Sequence, residues 1–501
     1  MHLSMLLEMA ADGMGDRVAF GSRPGGLTYR GLRDDARRAA AWIRARGVER
    51  VGLVDVNSEA VPILLFGSGY AATPFAPVNY RLADDQLHAI LARTAPSVVV
   101  VEDPVPARVG TIDGVELVPR ATFLELRQFP ADADDEFFGD PDEIAILLFT
   151  SGTTGEPKAA VLRHKHLGSY VIGTVEFMGA DEEEAALVSV PPYHVAGTSA
   201  VLTSVFAGRR IVYLDAFTPE AWVAAARDER ITQAMVVPTM LARILDVLER
   251  DGERLEHLRH LSYGGGRMPV AVIERALVLL PHVAFVNAYG LTETSSTIAV
   301  LGPEDHREAV ASTDPAVRRR LGSVGRPLPT LQVEIRNDEG QPVSAGAAGE
   351  VWVRGEQVAG EYFGRPEATY DGWFPTRDSG HLDEDGYLYL SGRLDDVVVR
   401  GGENMSPGEI EDVLASHPAV ADAAVVGVPD AEWGEKVVAA VVLHAGASAT
   451  EAELQEWVRS RLRSAKTPER IAFQEALPYN DLGKLLRRVL KAELTAAYGA
   501  Q

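Results

Sequence analysis

Strand-length apolar runs recur along most of this chain: Val51–Val56, Ser97–Val101, Ala186–Val190, Ile211–Leu214, Ala234–Val237 and Val283–Val286. Most are followed by a polar or amphipathic stretch long enough for a helix. That alternation predicts an α/β fold of layered subdomains, with helices packed on largely parallel sheets. Near Glu350 the rhythm changes. From there to Arg393, aromatic and glycine residues interleave in short runs such as Val351-Trp352-Val353 and Tyr387-Leu388-Tyr389, which predicts a smaller β-rich subdomain. After Asp396 comes a compact α+β unit: a strand at Val397–Arg400, a helix from Ser406-Pro407 to His417, then strands at Ala423–Val426 and Val437–Leu443. Ser406 suits an N-cap, with Pro407 in the first helical position. The boundary is placed at Leu394–Asp396, dividing the chain into residues 1–394 and 395–501.

A chain of 501 residues exceeds one comfortable core, so two or more domains are expected. Its formal net charge of −24 argues against nucleic acid and anionic membrane as partners. If the substrates are anions, positive groups must be concentrated locally. Cysteine is absent, which excludes disulfides, thiolate nucleophiles and Cys-ligated metals. Any thiol in the chemistry must therefore arrive on a substrate. Residues Met1 to Phe20 carry Glu8, Asp12 and Asp16 and no basic region before a sustained apolar segment, so no signal peptide is read there. The apolar run Val61–Phe66 is interrupted by Gly67, Gly69 and Pro74, far short of a transmembrane segment. A cytoplasmic enzyme is the expectation.

Candidate chemistry begins at Thr150-Ser151-Gly152-Thr153-Thr154-Gly155-Glu156-Pro157-Lys158, directly after the apolar run Ile144–Phe149. Gly152 and Gly155 let backbone N–H groups face an anion, while four hydroxyls and the Lys158 ammonium add donors. The spacing is not that of a Walker A loop. Alone, such a run reads more readily as a flexible linker, but a linker rarely follows a buried strand directly and ends in Pro-Lys. Pro191-Pro192-Tyr193-His194-Val195-Ala196-Gly197 also follows a strand, and its histidine taken alone suits a packed core. Ser262-Tyr263-Gly264-Gly265-Gly266-Arg267 is either a tight strand-to-helix turn or a close approach to a flat ligand. Asn287-Ala288-Tyr289-Gly290-Leu291-Thr292-Glu293 offers an aromatic face for a base and a hard carboxylate oxygen for a divalent cation. Asp378, in Trp373-Phe374-Pro375-Thr376-Arg377-Asp378, has two oxygens suited to two donors. Alone it reads as a solvated loop residue.

In this order, these segments resemble the motifs of the adenylate-forming superfamily, which comprises acyl- and aryl-CoA ligases, luciferases and peptide-synthetase adenylation domains. The resemblance spans nearly the whole chain. It implies a large N-terminal domain and a small mobile C-terminal domain. It implies that Thr150, Ser151, Gly152, Thr153, Thr154 and Lys158 grip the phosphates of ATP. Gly265, Gly266, Asn287, Ala288 and Tyr289 would hold AMP, with Thr292 on the α-phosphate. Glu293, assisted by Thr150, would bind Mg²⁺. Asp378 would accept the ribose hydroxyls, and Arg393, in Gly392-Arg393-Leu394-Asp395-Asp396, would reach ribose or phosphate, with Asp395 as hinge. His194, Val195, Ala196, Gly197, Gly264 and Gly290 would line the acyl pocket. Gly401 and Gly402 would line the passage for CoA. Lys484, ending Pro478-Tyr479-Asn480-Asp481-Leu482-Gly483-Lys484, would be the catalytic lysine of adenylation, acting with His194, Thr292 and Glu293. The chain departs from the pattern twice: Arg377 stands where the family usually has glycine, and Leu482 where it has serine or threonine.

The implied reaction has two steps. A carboxylate attacks the α-phosphate of MgATP, giving acyl-adenylate and pyrophosphate; the C-terminal domain then turns about Asp395 and the CoA thiol attacks. Amino-acid-activating relatives commonly hold the substrate ammonium with an aspartate near His194, so an acid without an α-amino group is expected. The wording of the motifs resembles bacterial fatty-acyl and aryl-acid CoA ligases, including those serving aromatic polyketide acids of antibiotic and other natural-product assembly. Alternatives are a stand-alone ligase loading a carrier protein, a luciferase-like oxidase and a catalytically silent nucleotide-binding protein. Monomer and homodimer are both open.

Overall fold

The computed structural model describes residues 1–128, 139–150, 157–401, 403–480 and 485–499. Among the described residues the strands form four sheets, and the expected α/β alternation is present. One six-stranded sheet runs, in spatial order, Val115–Pro119, Ser97–Val101, Arg50–Val54, Phe75–Pro77, Ile144–Thr150, Lys158–Arg163. Only its last pair is antiparallel. Ser97–Val101 is buried at every position, as a parallel strand covered on both faces must be. A nine-stranded sheet places Ala284–Leu291, His260–Gly264, Gln233–Val236, Ala185–Val188 and Arg210–Tyr213 side by side in parallel.

The two sheets share a core with the helices Leu3–Met14, Tyr29–Arg44, Ala60–Tyr70 and Val195–Ala207. Tyr29–Arg44 buries Leu32, Ala36, Ala39, Ala40 and Ile43, the three-and-four spacing of one apolar stripe. Ala60–Tyr70 is apolar all round and buried throughout, so it runs inside the layer rather than on its surface. Where these helices meet, a Cβ on Gly67 would lie 2.7 Å from the Ala39 Cβ. Asn57 ties the strand ends together: its amide donates to the carbonyls of Val190 (3.1 Å) and Leu214 (3.2 Å).

The β-rich subdomain is an antiparallel four-stranded sheet of Gln332–Arg336, Gly349–Arg354, Phe374–Leu382 and Leu388–Arg393. It therefore begins at Gln332 rather than near Glu350. Its first strand, Gln-Val-Glu-Ile-Arg, buries only Ile335 and lacks the aromatic and glycine pattern of the others. The next sheet begins with Val398–Arg400, across the short turn Leu394–Asp396. It pairs Val420–Asp430 with Gly434–Leu443. Both strands outrun the apolar stretches that predicted them, because hairpin hydrogen bonding continues past the buried centre. Pro407–Ala415 and Glu451–Arg459 pack on one face and Arg487–Tyr498 on the other. Ser406 does occupy the N-cap with Pro407 behind it, but its hydroxyl does not cap; it donates to the Ser391 carbonyl instead. Arg267 makes a second bridge between the two units, donating to the Gly408 carbonyl at 2.9 Å and pairing with Asp412.

Two buried imidazoles, His2 and His164, stack with centroids 3.5 Å apart, and the Leu3 amide donates to His164 Nδ1 at 3.4 Å. Burial, followed by the nearby charges of His2 and the amino terminus, lowers His164 from its ordinary 6.5 to about 2. Burial, followed by the amino terminus, lowers His2 to about 4. Both folded values lie below the unfolded one, so below about pH 6.5 the unfolded chain binds more protons. Stability is full above that pH and falls on acidification, by up to about 1.4 kcal/mol per pH unit for each histidine. Urea unfolding of His164→Gln and wild type should show a stability difference that shrinks by about that slope between pH 6 and pH 4. A pH-independent difference excludes His164 as a source of acid sensitivity.

Candidate active site

The carboxyl ends of four adjacent parallel strands converge here. Val236 pairs with Tyr263, Tyr263 with Asn287, and Gly264 with Ala288, so the loops that follow leave the sheet at one level. Downstream of Ala185–Val188, Pro191–His194 leads into the helix Val195–Ala207, whose N-cap is His194; His194 Nδ1 accepts from the Ala196 amide at 3.2 Å. Val195 and Ala196 are buried behind it. A Cβ on Gly197 would lie 2.6 Å from the Pro191 carbonyl oxygen, on Gly264 2.2 Å from that of Ala288, and on Gly290 1.7 Å from that of Ser296. Close backbone approach thus requires glycine at these three positions whatever else they contact. Gly265 takes φ +76° and faces the Val237 side chain, while Met235 Cε comes within 3.7 Å of the Gly264 position. Met235 and Val237 pack against this glycine turn, where sequence reading registered them only as part of a strand.

Tyr289, Gly290, Thr292 and Glu293 sit at the tip of an antiparallel hairpin made by Ala284–Leu291 and Ser296–Leu301, with a bulge between Tyr289 and Gly290. Thr294 holds the tip: its hydroxyl accepts from the Leu291 amide at 3.1 Å and reaches the Ser296 carbonyl at 2.9 Å. The Tyr289 phenol donates to Asp378 Oδ2 at 2.6 Å, and Arg393 donates to Asp378 Oδ1 at 3.2 Å. Burial, and then the Asp378 charge, hold the Tyr289 phenol protonated far above its ordinary range, so it remains a donor. Asp378 itself is in the strand Phe374–Leu382 and only 6% exposed, not in a solvated loop. The Asn287 amide donates to the Ser323 carbonyl at 3.1 Å, while Ala288 lies beside Gly264.

Glu293 is held from a segment that sequence reading passed over. The amides of Ala359 (2.8 Å) and Gly360 (3.2 Å) donate to its carbonyl, and the Tyr362 phenol donates to its carboxylate at 2.6 Å. The same segment bonds to the strand Lys158–Arg163 through Val161 N to Glu361 O and Phe363 N to Ala159 O, both 2.9 Å. Lys158 Nζ stands 5.3 Å from the Tyr362 ring centroid. Thr150 pairs with Lys158 across the hairpin, its hydroxyl donating to the Lys158 carbonyl at 3.4 Å. Thr150, Lys158 and Glu293 are thus brought together through Tyr362, whose only sequence signal is an aromatic pair between Gly360 and Gly364.

Ser151, Gly152, Thr153, Thr154, Gly402 and Lys484 lie outside the described residues, as does Leu482. Gly266 is exposed beside Gly265. Gly401 takes φ +57°, donates to the Trp433 carbonyl at 2.8 Å, and would place a Cβ 2.9 Å from the indole. Asp395 sits in the turn Leu394–Asp396, where Arg377 Nη2 meets its Oδ1 at 3.0 Å.

This arrangement can hold a base beside Tyr289, a ribose at Asp378 and Arg393, and phosphates between Lys158 and Glu293. Comparison with known proteins agrees. Residues 7–363 match the family described as AMP-binding enzyme, and residues 409–484 match its C-terminal domain. A feruloyl-CoA synthase of Amycolatopsis sp is 35% identical over 488 residues, 94% of each chain. A fatty acid–[acyl-carrier-protein] ligase of Streptomyces coeruleorubidus is 33% identical over 490 residues, 93% of this chain and 91% of that one. The o-succinylbenzoate CoA synthetase from Bacillus subtilis, solved with its acyl-adenylate intermediate, superposes with a TM-score of 0.82 at 28% identity, covering 97% of each chain. The chain belongs to the AMP-binding enzyme family, as an ATP-dependent acid–CoA ligase that works through an acyl-adenylate.

Proposed function

We propose that the acid is an aryl or fatty acid without an α-amino group, in particular an aromatic acid of natural-product assembly, and that the reaction runs in the cytoplasm with Mg²⁺. One observation carries the acid class: the wall from Pro191 through the helix Val195–Ala207 contains no acidic residue to hold an ammonium. The named substrate of the feruloyl relative is an aryl acid, which supports the same reading. The small Ala196, with the flexible Met235, favours a bulky or planar group over a short one. Among the described residues no helix is long and apolar enough to cross a membrane.

The donor set suits Mg²⁺. Among the described residues, no cluster of three or more His, Cys, Asp and Glu could cage a metal. Glu293 offers one carboxylate and Thr150 one hydroxyl, which matches an ion that keeps several waters and takes its other ligands from phosphate. When bound, the ion supplies charge neutralisation at the phosphates. Lys484, by its place after Gly483, is assigned to the carboxylate and α-phosphate oxygens while the acid attacks phosphorus and pyrophosphate leaves. Asp378, with Tyr289 and Arg393 already oriented on it, receives the ribose. The C-terminal unit then turns about Asp395, bringing Gly401 and Gly402 to the site, and the CoA sulfur attacks the acyl carbon as AMP leaves. Transfer to a carrier protein is the second reading, favoured by the carrier-protein ligase among the relatives.

Pyrophosphate exchange across benzoic, cinnamic, fatty and amino acids tests the acid class, and amino acids as the best substrates overturn it. Thioester formation with CoA against a phosphopantetheinylated carrier protein separates the two acceptors. Removing one hydrogen bond to a charged group costs about 1.5–3 kcal/mol, so Tyr289→Phe and Asp378→Asn should each raise KM for ATP roughly 10- to 100-fold, with KM for the acid unchanged. Unaltered ATP dependence in both removes the pair from the nucleotide site. Tyr362→Phe should raise the Mg²⁺ concentration needed for half-maximal exchange about tenfold or more, through loss of one oriented bond to Glu293. Met235→Ala should shift kcat/KM towards larger acids by about tenfold, the range of one or two methylenes in an apolar pocket. An unchanged ranking of acids in that variant places Met235 outside the pocket.

A further inference from the structure

Arg377 stands where the resemblance places glycine, and it takes φ +63°, the left-handed region that disfavours a side chain. The strand bends there: pairing with Gly349–Arg354 slips between Glu350 and Trp352, and the Arg377 amide donates to Glu350 Oε1 at 3.1 Å. The same bend turns Asp378 inward to Tyr289 and sends the Arg377 guanidinium, about half exposed, out to Asp395 at 3.0 Å. Glu350 lies farther off at 3.8 Å. The neighbouring Asp396 is 3.4 Å from Arg487, so the two acids of this turn are drawn to opposite units. A strained arginine that reaches the turn joining both units calls for a reason beyond the bend, which glycine would fit better, and beyond its longer pair with Glu350.

We propose that the Arg377–Asp395 ion pair is a clamp on the turn between the large and C-terminal units, making Arg377 a positioning residue that biases the molecule towards the arrangement seen here. The inference rests on the two-step reading in which the C-terminal unit rotates about Asp395. Rotation changes the backbone of Asp395 and carries its carboxylate away from Arg377, so the pair must open for each alternation. An exposed pair of this kind biases the equilibrium by about three- to fivefold and is screened by salt.

The absence of cysteine allows a test independent of activity. Spin labels at Val278→Cys on the large unit and Glu456→Cys on the C-terminal unit, both exposed, report the separation of the two. At low salt the ligand-free protein should show one dominant distance. Arg377→Gly should raise a second population about three- to fivefold, and 0.5 M NaCl should do the same in wild type but add little in the variant. Asp395→Asn should reproduce the shift, and Arg377→Lys should keep part of the bias. The melting temperature of Arg377→Gly should not fall, because glycine accepts the bend. In single turnover, Arg377→Gly should change the ratio of CoA transfer to adenylation. Distance distributions identical in wild type, Arg377→Gly and Asp395→Asn overturn the clamp, as does an equal salt response in all three. Failure to form any acyl-adenylate overturns the functional reading instead, and leaves the distance measurement to decide the clamp.

Discussion

The site depends on one short segment, Ala359 to Phe363. Its amides bond to the Glu293 carbonyl on one side, and its backbone pairs with the strand Lys158–Arg163 on the other. The guanidinium of Arg163 makes two bonds to Glu361, at 3.0 and 2.9 Å, closing the same junction through side chains. The six- and nine-stranded sheets, which share a core, are thus joined a second time where Lys158 and Glu293 lie. Tyr362 stands between them, its ring towards the cation and its hydroxyl on the anion.

A molecule with a net charge of −24 must still receive anions. The two carboxylates of the site are partnered before any substrate arrives: Asp378 by a phenol and a guanidinium, Glu293 by a phenol. Phenols held well above their ordinary pKa by burial donate without adding charge, so each carboxylate gains a direction. Lys158 and Arg393 put positive charge beside these carboxylates, in place of a generally basic surface. Such preorganisation is what a phosphoryl-transfer site needs, because donors oriented in advance do not have to be reorganised during the reaction.

Glycine plays two distinct parts here. At Gly264 and Gly290 the requirement comes from neighbouring backbone, since a Cβ would strike the carbonyls of Ala288 and Ser296. At Gly265 the requirement is a positive φ. At Arg377 a side chain is kept in a bend that glycine would accept freely, with Asp395 at its end.

The sequence by itself determined the α/β alternation and the family, because apolar period and short-range spacing are local properties that survive in one dimension. It also marked Arg377 as a departure. Tertiary structure alone decided that Asp378 lies buried in a strand, that Tyr289 and Arg393 share its two oxygens, and that Ser406 bonds to Ser391 rather than capping its helix. It alone revealed Tyr362, Met235 and Val237, and moved the start of the β-rich sheet back to Gln332. The reason is common to all of these. Each is a contact between residues far apart in the chain, set by how sheets pack and where their carboxyl ends converge, and no local pattern of apolar and polar positions records which distant partner a side chain will meet.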